Sequence, residues 1–453
     1  MPELIRVLRR YYARYRPHIH MEPGTTFTYR KPDRPLFSVV IAAYNPGERI
    51  LPTIRSVLAQ SYREFEVLVV GDGCSDATGE ILAANFGEDV RFENLNRNYG
   101  CQSYPNNAGI DLSRGTHVAY LGHDDVWSPH HLEMLTTIIQ SADPDFAVSG
   151  AVYHAPAGSK YYQFTGIFDD PSTAGREFFP PSSLAHRRDV IQKIGPWRDP
   201  NDISAPVDCE FLLRAFANGC SFVSTKAVTV HKFAAGHRYL WYRFPSSHEQ
   251  QRMLDRLLRA GGEIEILRQI DADLADGADA LPIRYVDFSR FAPGQLYREA
   301  RQCKGLDRPP LLDVEKALKI APPSSPAALD WYLPEQHPVY GLFRWSGPNP
   351  NPLYLLPVRI KGAFYLRLHV IAFADAGLIR TLRIEINDAP SGLTIEAVDD
   401  GTYVLTARPS TAGPVTDGLK LCFRMPYSTR TPNDPLRRRI GIALGVIRVV
   451  SEP

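Results

Sequence analysis

Short apolar runs alternate with amphipathic segments between about residues 35 and 233. The run Phe37–Ala43 is continuously apolar, which is typical of a strand buried on both faces. Glu66–Val70 predicts a second strand of the same kind. Between them, apolar residues recur at the spacing of one helix face, at Ile50, Leu51, Ile54, Val57 and Leu58.

The alternation continues with a helical pattern over Asp76–Asn85 and strand patterns over Val90–Leu95 and Thr116–Leu121. Strands that alternate with helices predict a mostly parallel, Rossmann-like α/β sheet flanked by helices. In such sheets ligands bind at the carboxyl ends of the strands. The polar residues that follow each strand are therefore the candidate functional residues.

The pattern changes twice further along the chain. Helical spacing dominates from about residue 234, over His248–Leu258 and Gly262–Asp273, and the proline-rich stretch 321–327 predicts a linker. Short strands then follow one another to the end, which predicts a C-terminal β-sandwich. The strand patterns are Leu353–Ile360, Phe364–Phe373, Leu378–Ile386, Tyr403–Ala407, Leu419–Phe423 and Ile440–Val450. We expect an N-terminal extension (1–34), an α/β domain (35–235), a helical segment with linker (236–335) and the β domain (336–453).

Composition narrows the function classes. The 453 residues carry a formal net charge of +1, which gives no electrostatic argument for binding nucleic acid. The six cysteines are scattered, which indicates reduced thiols and a cytoplasmic location. Residues 4–16 mix arginines with tyrosines, so they form either a solvated helix or a peripheral contact with the inner face of the membrane.

Polar clusters follow three of the predicted strands. Tyr44 and Asn45 come after the first strand, Asp72 after the second, and Asp124 with Asp125 after the fourth. Adjacent carboxylates suit Mg²⁺ or Mn²⁺, and Asp72 is suited to a base N–H or a ribose hydroxyl. Each cluster taken alone could equally be a turn or a helix cap.

In this order, the segments resemble the inverting glycosyltransferases of family 2, which have the GT-A fold. The resemblance runs from Ser38 to about His231. It is carried by 38–45 (SVVIAAYN), 71–76 (GDGCSD), 107–110 (NAGI), 121–125 (LGHDD) and 206–214 (PVDCEFLLR). It implies a nucleotide-sugar donor, which we expect to be UDP-linked, and a divalent cation, Mn²⁺ or Mg²⁺.

The resemblance also assigns roles to residues. It implies that Asp208 is the general base, with Glu210 as the alternative and a helix cap as the competing interpretation of Asp208. The implied metal ligands are Asp124, Asp125 and His231, although a lone histidine after a strand is more often structural. On the acceptor side, Trp197 either stacks on a sugar or fills the core. The implied nucleotide-sugar site comprises Ala43, Tyr44, Asn45, Asp72, Asn107 and Asp124.

Three positions depart from the family pattern. Gly122 stands where the family has an acid, Val207 replaces the glutamate before the base, and Asn106 replaces an arginine. We therefore expect Asp124 and Asp125 to hold a metal mainly when the donor phosphates complete its shell.

The expected function is transfer of a sugar to a hydroxyl of a glycan or lipid-linked acceptor in the synthesis of surface polysaccharide. A sugar nucleotidylyltransferase is one alternative, but residues 44–48 lack the clustered lysines of a triphosphate loop. A glycan-binding or nucleotide-binding protein with a weak or inactive site is the other. The β domain either packs and assembles the chain, as a homo-oligomer, or binds glycan through Trp345, Tyr354 or Tyr365.

Overall fold

The structure is a computed structural model. It describes residues 32–452 except 34, 155–160, 234–246, 277, 284, 286, 304–310, 321–326, 330, 332–334, 348–350, 399–400, 412, 417 and 431–438. The predicted basic helix within 1–34 and most of the proline-rich linker lie outside the described residues. The described residues divide into two compact units, with the division at Tyr297 and Arg298. No helix in the described ranges is long and apolar enough to cross a membrane.

The first unit is built on a mixed, mostly parallel sheet. Its strands are β1 Phe37–Ala43, β2 Phe65–Gly71, β3 Val90–Asn94, β4 His117–Tyr120, β5 Val126–Trp127, β6 Phe146–His154, β7 Tyr161–Thr165, β8 Leu184–Arg187, β9 Phe222–Lys232 and β10 Asp279–Pro282. The strand order is β10-β7-β6-β8-β4-β1-β2-β3, and β9 pairs with both β5 and β6. Within this order β3, β2, β1 and β4 are parallel, and β8 is antiparallel to β4 and β6.

Helices cover both faces of this sheet. They are α1 Leu51–Leu58, α2 Thr78–Phe86, α3 Ser103–Leu112, α4 His131–Ala142, α5 Val190–Ile194, α6 Val207–Ala217, α7 His248–Leu257 and α8 Gly262–Ala275. Helix α9, Gln295–Cys303, crosses the division between the two units. Successive residues of β1 enter different cores, because Val39 and Ile41 pack in one cluster and Val40 in the other. This alternation explains the continuous apolar run of β1. The predicted α/β fold is confirmed.

The second unit is a mostly antiparallel β structure, in which only the short strands β11 and β17 are known to pair in parallel among the described residues. Its strands are β11 Leu312–Asp313, β12 Ala317–Ile320, β13 Ala327–Leu329, β14 Glu335–His337, β15 Gly341–Trp345, β16 Leu353–Leu356, β17 Val358–Arg359, β18 Phe364–Phe373, β19 Arg383–Ile386, β20 Ala389–Ala397, β21 Tyr403–Pro409, β22 Leu419–Arg424, β23 Thr429–Arg430, β24 Arg439–Ile440 and β25 Ile442–Ser451. The strand order of the main sheet is β13-β16-β22-β19-β20-β21-β18-β25-β15-β14, and β12 also pairs with β25.

One hydrophobic core receives side chains from both ends of this sheet, including Leu421 of β22 and Leu368 of β18. The sheet therefore folds over a shared core, as the sequence predicted. Two strand predictions need correction. Residues 376–381 form helix α10, in which the Asp375 side chain caps the first turn by accepting from the Gly377 N–H. Pro357 interrupts the predicted strand 353–360, because it has no N–H to donate to a neighbouring strand.

Candidate functional site

The strand register brings the first two polar clusters to one edge of the sheet. Ala43, at the end of β1, lies beside Gly71, at the end of β2. Asn45 follows with a φ of 44°, a left-handed conformation that asparagine tolerates better than most residues. Its Oδ1 accepts from the backbone N–H of Ser75 at 2.8 Å and of Asp76 at 3.3 Å. Asn45 therefore ties the loop after β1 to the loop after β2.

Asp72 organises the neighbouring loop through its carboxylate. Its Oδ1 accepts from the Tyr99 N–H at 2.9 Å, and its Oδ2 accepts from the Gly100 N–H at 2.8 Å and from Asn98 Nδ2 at 3.1 Å. The Tyr99 ring stacks on Tyr104, with ring centroids 3.8 Å apart. The buried carboxylate of Asp72 thus fixes the backbone of residues 98–100 at the edge of the predicted nucleotide site.

The turn that carries Asp124 and Asp125 is fixed from two sides. Thr53 of α1 lies with its hydroxyl 3.0 Å from the carbonyl oxygen of His123 and 2.8 Å from that of Asp125. Gln250 of α7 donates to the carbonyl oxygen of Asp124 at 3.2 Å. The Asp124 side chain is half-buried and the Asp125 side chain is buried. The two adjacent acids therefore face different surroundings.

Asp125 forms an ion pair with a lysine of the same chain. Lys232, the last residue of β9, places its ammonium on Oδ2 of Asp125, and Ser182 donates to the same oxygen at 2.6 Å. Burial raises the pKa of Asp125, and the positive charge of Lys232 opposes that shift. Oδ1 of Asp125 is buried without a hydrogen-bond partner among the described residues. This free acceptor is suited to a cation or a donor that arrives with a ligand.

Gly122 belongs to this arrangement through its missing side chain. A Cβ at this position would lie 2.7 Å from Oδ2 of Asp125 and 3.1 Å from Oδ1 of Asp124. The Gly122 N–H donates to Ser182 Oγ at 3.1 Å. The carboxylate of Asp125 therefore fills the space that a side chain at position 122 would need.

Tyr153 links Asp125 to the region of Asp208. It lies beside Lys232 in the register of β6 and β9, and the Lys232 ammonium is 5.6 Å from the centre of its ring. Burial, followed by the charges of Asp125 and Asp208, raises the pKa of Tyr153 well above its ordinary value. The negative charges of both carboxylates therefore disfavour ionisation of the same phenol.

Asp208 lies in the first turn of α6, and its neighbour Glu210 is turned to other partners. The N-cap position is Pro206, so Asp208 is inside the helix, and its Oδ1 accepts from the Cys209 N–H at 2.9 Å. Glu210 accepts from Arg214 at 2.8 and 3.0 Å. Arg214 in turn donates to the carbonyl oxygens of residues 194–196. Glu210 thus helps to hold the loop before Trp197, which favours Asp208 as the candidate base.

Trp197 is a core residue in the structure. It is 3% exposed and stacks on Phe211, with ring centroids 4.2 Å apart and planes 5° apart. Its Nε1 donates to the Tyr120 hydroxyl at 3.1 Å. Both amide ends of Asn107 bond to the Trp197 backbone at 2.9 Å. The structure favours core packing over sugar stacking for Trp197, and it gives Asn107 a positioning role.

His231 is fully buried and both of its ring nitrogens have partners. Nδ1 lies 2.9 Å from Nε2 of His154, and Nε2 lies 3.3 Å from the Ser128 hydroxyl. Burial lowers the pKa of His231 to about 3. These contacts favour the structural interpretation of His231. The described part of the chain contains no group of three His, Cys, Asp or Glu side chains placed to hold a metal ion.

Three residues of this site were not predicted from the sequence: Lys232, Ser182 and Tyr153. A single lysine, serine or tyrosine near a strand end has no distinctive spacing. Only the pairing of β9 with β6 brings Lys232 beside Tyr153. Tyr44, which was predicted, lies half-buried at the end of β1.

Part of the first unit is similar to known glycosyltransferases. Residues 38–214 match Glycosyl transferase family 2. The chain is 30% identical over 165 residues to the glycosyltransferase GlyG of Streptococcus pneumoniae, covering 36% of this chain and 52% of that protein. It is 31% identical over 196 residues to the glycosyltransferase AglE of Haloferax volcanii, covering 41% and 63%. The chain thus spans about half to two-thirds of the length of these relatives.

Solved structures of S. aureus TarS also resemble the chain. TarS 1–349 in complex with UDP-GlcNAc has a TM-score of 0.39 at 17% identity, covering 53% of this chain and 73% of that one. A longer TarS structure has a TM-score of 0.36 at 13% identity, covering 90% and 85%.

Proposed function

We propose that the chain transfers a sugar from a nucleoside diphosphate, UDP above all, to a hydroxyl of a glycan or lipid-linked acceptor, because residues 38–214 match Glycosyl transferase family 2. Synthesis of a surface polysaccharide is the process we propose for it. The observation that carries this proposal is the grouping of Asp125, Lys232 and Tyr153 with Asp208, beside the loops fixed by Asn45 and Asp72.

In the proposed reaction the acceptor hydroxyl attacks the anomeric carbon in one displacement, which inverts that centre. Asp208 takes the hydroxyl proton as the new bond forms. The loops held by Asn45 and Asp72 fix the nucleoside, so that the anomeric carbon stays in register with Asp208. The departing diphosphate gains negative charge, and we propose that the ammonium of Lys232, which is held by Asp125, offsets part of that charge.

The residues present fit a divalent cation that is completed by substrate. Asp124 and the free Oδ1 of Asp125 would hold Mg²⁺ or Mn²⁺, and two carboxylates with substrate phosphates are a common shell for Mg²⁺. When bound, such an ion acts as a Lewis acid on the diphosphate oxygens. His231 is not part of the proposed shell because both of its nitrogens are engaged.

The test of the base assignment compares two carboxylates on one helix. Asp208→Asn should reduce release of nucleoside diphosphate in the presence of acceptor by at least about 10²-fold, because general-base catalysis contributes on the order of 10²–10⁴. Donor binding, measured by calorimetry, should remain. Glu210→Gln is the matched control, and it should change thermal stability more than turnover.

Wild-type turnover in Asp208→Asn would refute the base assignment. The melting temperature is measured with a panel of nucleotide sugars, with and without Mn²⁺. If none of them raises it, the transferase proposal as a whole is refuted and an inactive binding protein is favoured. Peripheral membrane contact and homo-oligomerisation through the C-terminal unit stay predictions.

A further inference from the structure

Three cations stand side by side on the second unit. In the strand register Lys319 of β12 lies opposite Arg448 of β25, and Arg448 lies opposite Arg367 of β18. Neighbouring strands are about 4.8 Å apart, so the three residues span roughly 10 Å across the sheet. We call Lys319, Arg448 and Arg367 the basic row. All three side chains are exposed.

The basic row lines a cavity. The cavity has a volume of about 290 Å³, and its other lining residues are Leu368, His369, Val404 and Val446. All three residues of the row line the cavity, so their charges surround one concave space. Val404 and Val446, which are half-buried, can contact C–H groups of a ligand, while the row supplies charge.

No acidic partner neutralises the basic row. Among the residues that the structure describes, no carboxylate forms an ion pair with Lys319, Arg448 or Arg367. Other cations of the same unit do have such partners, as in the pairs Arg359–Asp313, Arg424–Glu385, Arg408–Glu452 and Lys420–Asp388. Like charges placed directly opposite each other on a sheet destabilise it. The basic row therefore lowers the stability of the folded unit slightly unless an anion binds to it.

We propose that the basic row binds the phosphate groups of an anionic acceptor chain; that the ligand is the acceptor rests on the proposed function. Guanidinium groups match phosphate oxygens in a bidentate way. The row places three positive charges within about 10 Å. A carboxylate ligand would bring one negative charge to them, whereas a phosphate monoester or two successive phosphodiesters would bring about two. The concave, partly apolar wall suits a sugar phosphate better than a flat membrane surface.

The experiment measures binding by the full chain, using calorimetry at low ionic strength. The probes are inorganic phosphate, phosphorylated dextran, unmodified dextran and vesicles of phosphatidylglycerol. The variants are Arg367→Gln and Arg448→Gln, and the matched control is Arg359→Gln, which removes an arginine paired with Asp313 in the same unit.

We expect phosphorylated dextran to bind and unmodified dextran not to bind. Each variant of the row should weaken that binding roughly 10- to 100-fold, as expected when one charge-assisted contact is lost, and Arg359→Gln should not. Binding should fall as salt rises. In phosphate-free buffer Arg448→Gln should melt at the same or a higher temperature than the wild type, because a like-charge contact is removed.

The proposal would be overturned by equal binding of both dextrans or by unchanged affinity in both variants. Binding confined to the vesicles would also overturn it, because it would identify a membrane site. Inorganic phosphate binding without phosphorylated dextran binding would also overturn it, because a simple ion site would remain. Stabilisation by nucleotide sugars is measured in the same variants. If nucleotide sugars do not stabilise the wild type, the transferase proposal fails, independently of whether the basic row binds phosphorylated dextran.

Discussion

Lys232→Met removes the only cation that the described structure places on Asp125. The Asp125 side chain is 1% exposed and that of Lys232 is 15% exposed, so water screens this pair poorly. Removing one partner of a buried pair costs about 3–5 kcal/mol, because the other charge is left uncompensated. Ser182 still donates to Asp125 at 2.6 Å, which leads us to expect the lower end of that range.

The assay is urea unfolding of the full chain, and the chain offers a matched control. Lys226 lies on the same strand and pairs with Asp169, but the two side chains are 48% and 75% exposed. Lys226→Met should therefore lower the free energy of unfolding by only about 0–1 kcal/mol. The double variant Asp125→Asn with Lys232→Met should recover most of the loss, because neither partner then carries a charge.

The pH dependence of the Lys232→Met variant gives a second check. Burial raises the pKa of Asp125, and without Lys232 only the hydrogen bond from Ser182 opposes that shift. The folded variant then prefers the protonated acid, so its deficit should be full at neutral pH and shrink as the pH falls. The reasoning fails if Lys232→Met loses no more stability than Lys226→Met, or if the double variant is no better than the single one.

Two further predictions concern the same unit. Gly122→Asp introduces the acid that the resemblance to family 2 glycosyltransferases implies at this position. It should lower the melting temperature without tightening Mn²⁺ binding, measured by calorimetry, because its Cβ would lie 2.7 Å from an oxygen of Asp125 that Lys232 and Ser182 already hold. Tighter Mn²⁺ binding would contradict this. Burial lowers the pKa of His131 to about 3 and that of His186 to about 4, so the folded state keeps both neutral while the unfolded state protonates them near pH 6.5. Stability should therefore be full above pH 6.5 and fall by about 1.4 kcal/mol per pH unit for each histidine down to about pH 4; urea midpoints that stay constant between pH 7 and 5 would refute it.

The sequence predicts the first unit well where burial alone determines the pattern. β1 has the predicted bounds, Phe37–Ala43, because every residue of a strand covered on both faces must be small or apolar. Residues 378–381 misled the prediction, since Leu378 is buried in a short helix and Leu382 directly after it, and this apolar spacing also suits a strand. A short apolar run does not distinguish the two periods.

Only those site residues that directly follow a predicted strand could be predicted from the sequence. Asn45, Asp72, Asp124 and Asp125 follow from that rule, whereas the partner of Asp125 depends on pairing between β6 and β9, which no local pattern encodes. Similarly, the burial of Trp197 depends on Phe211 of α6, fourteen residues further along the chain. Side chains that meet through tertiary register leave no periodic signal in the sequence.

The position of β25 has a consequence for how the protein is made. This strand, Ile442–Ser451, pairs with β12, β15 and β18, so it lies inside the sheet although it comes from the end of the sequence. During synthesis on a ribosome, β12 must wait for a partner that is translated more than a hundred residues later. Contacts between such distant segments form slowly. The second unit therefore closes its core after translation has passed residue 451, and until then the edges of β12 and β18 are available to other chains or to chaperones.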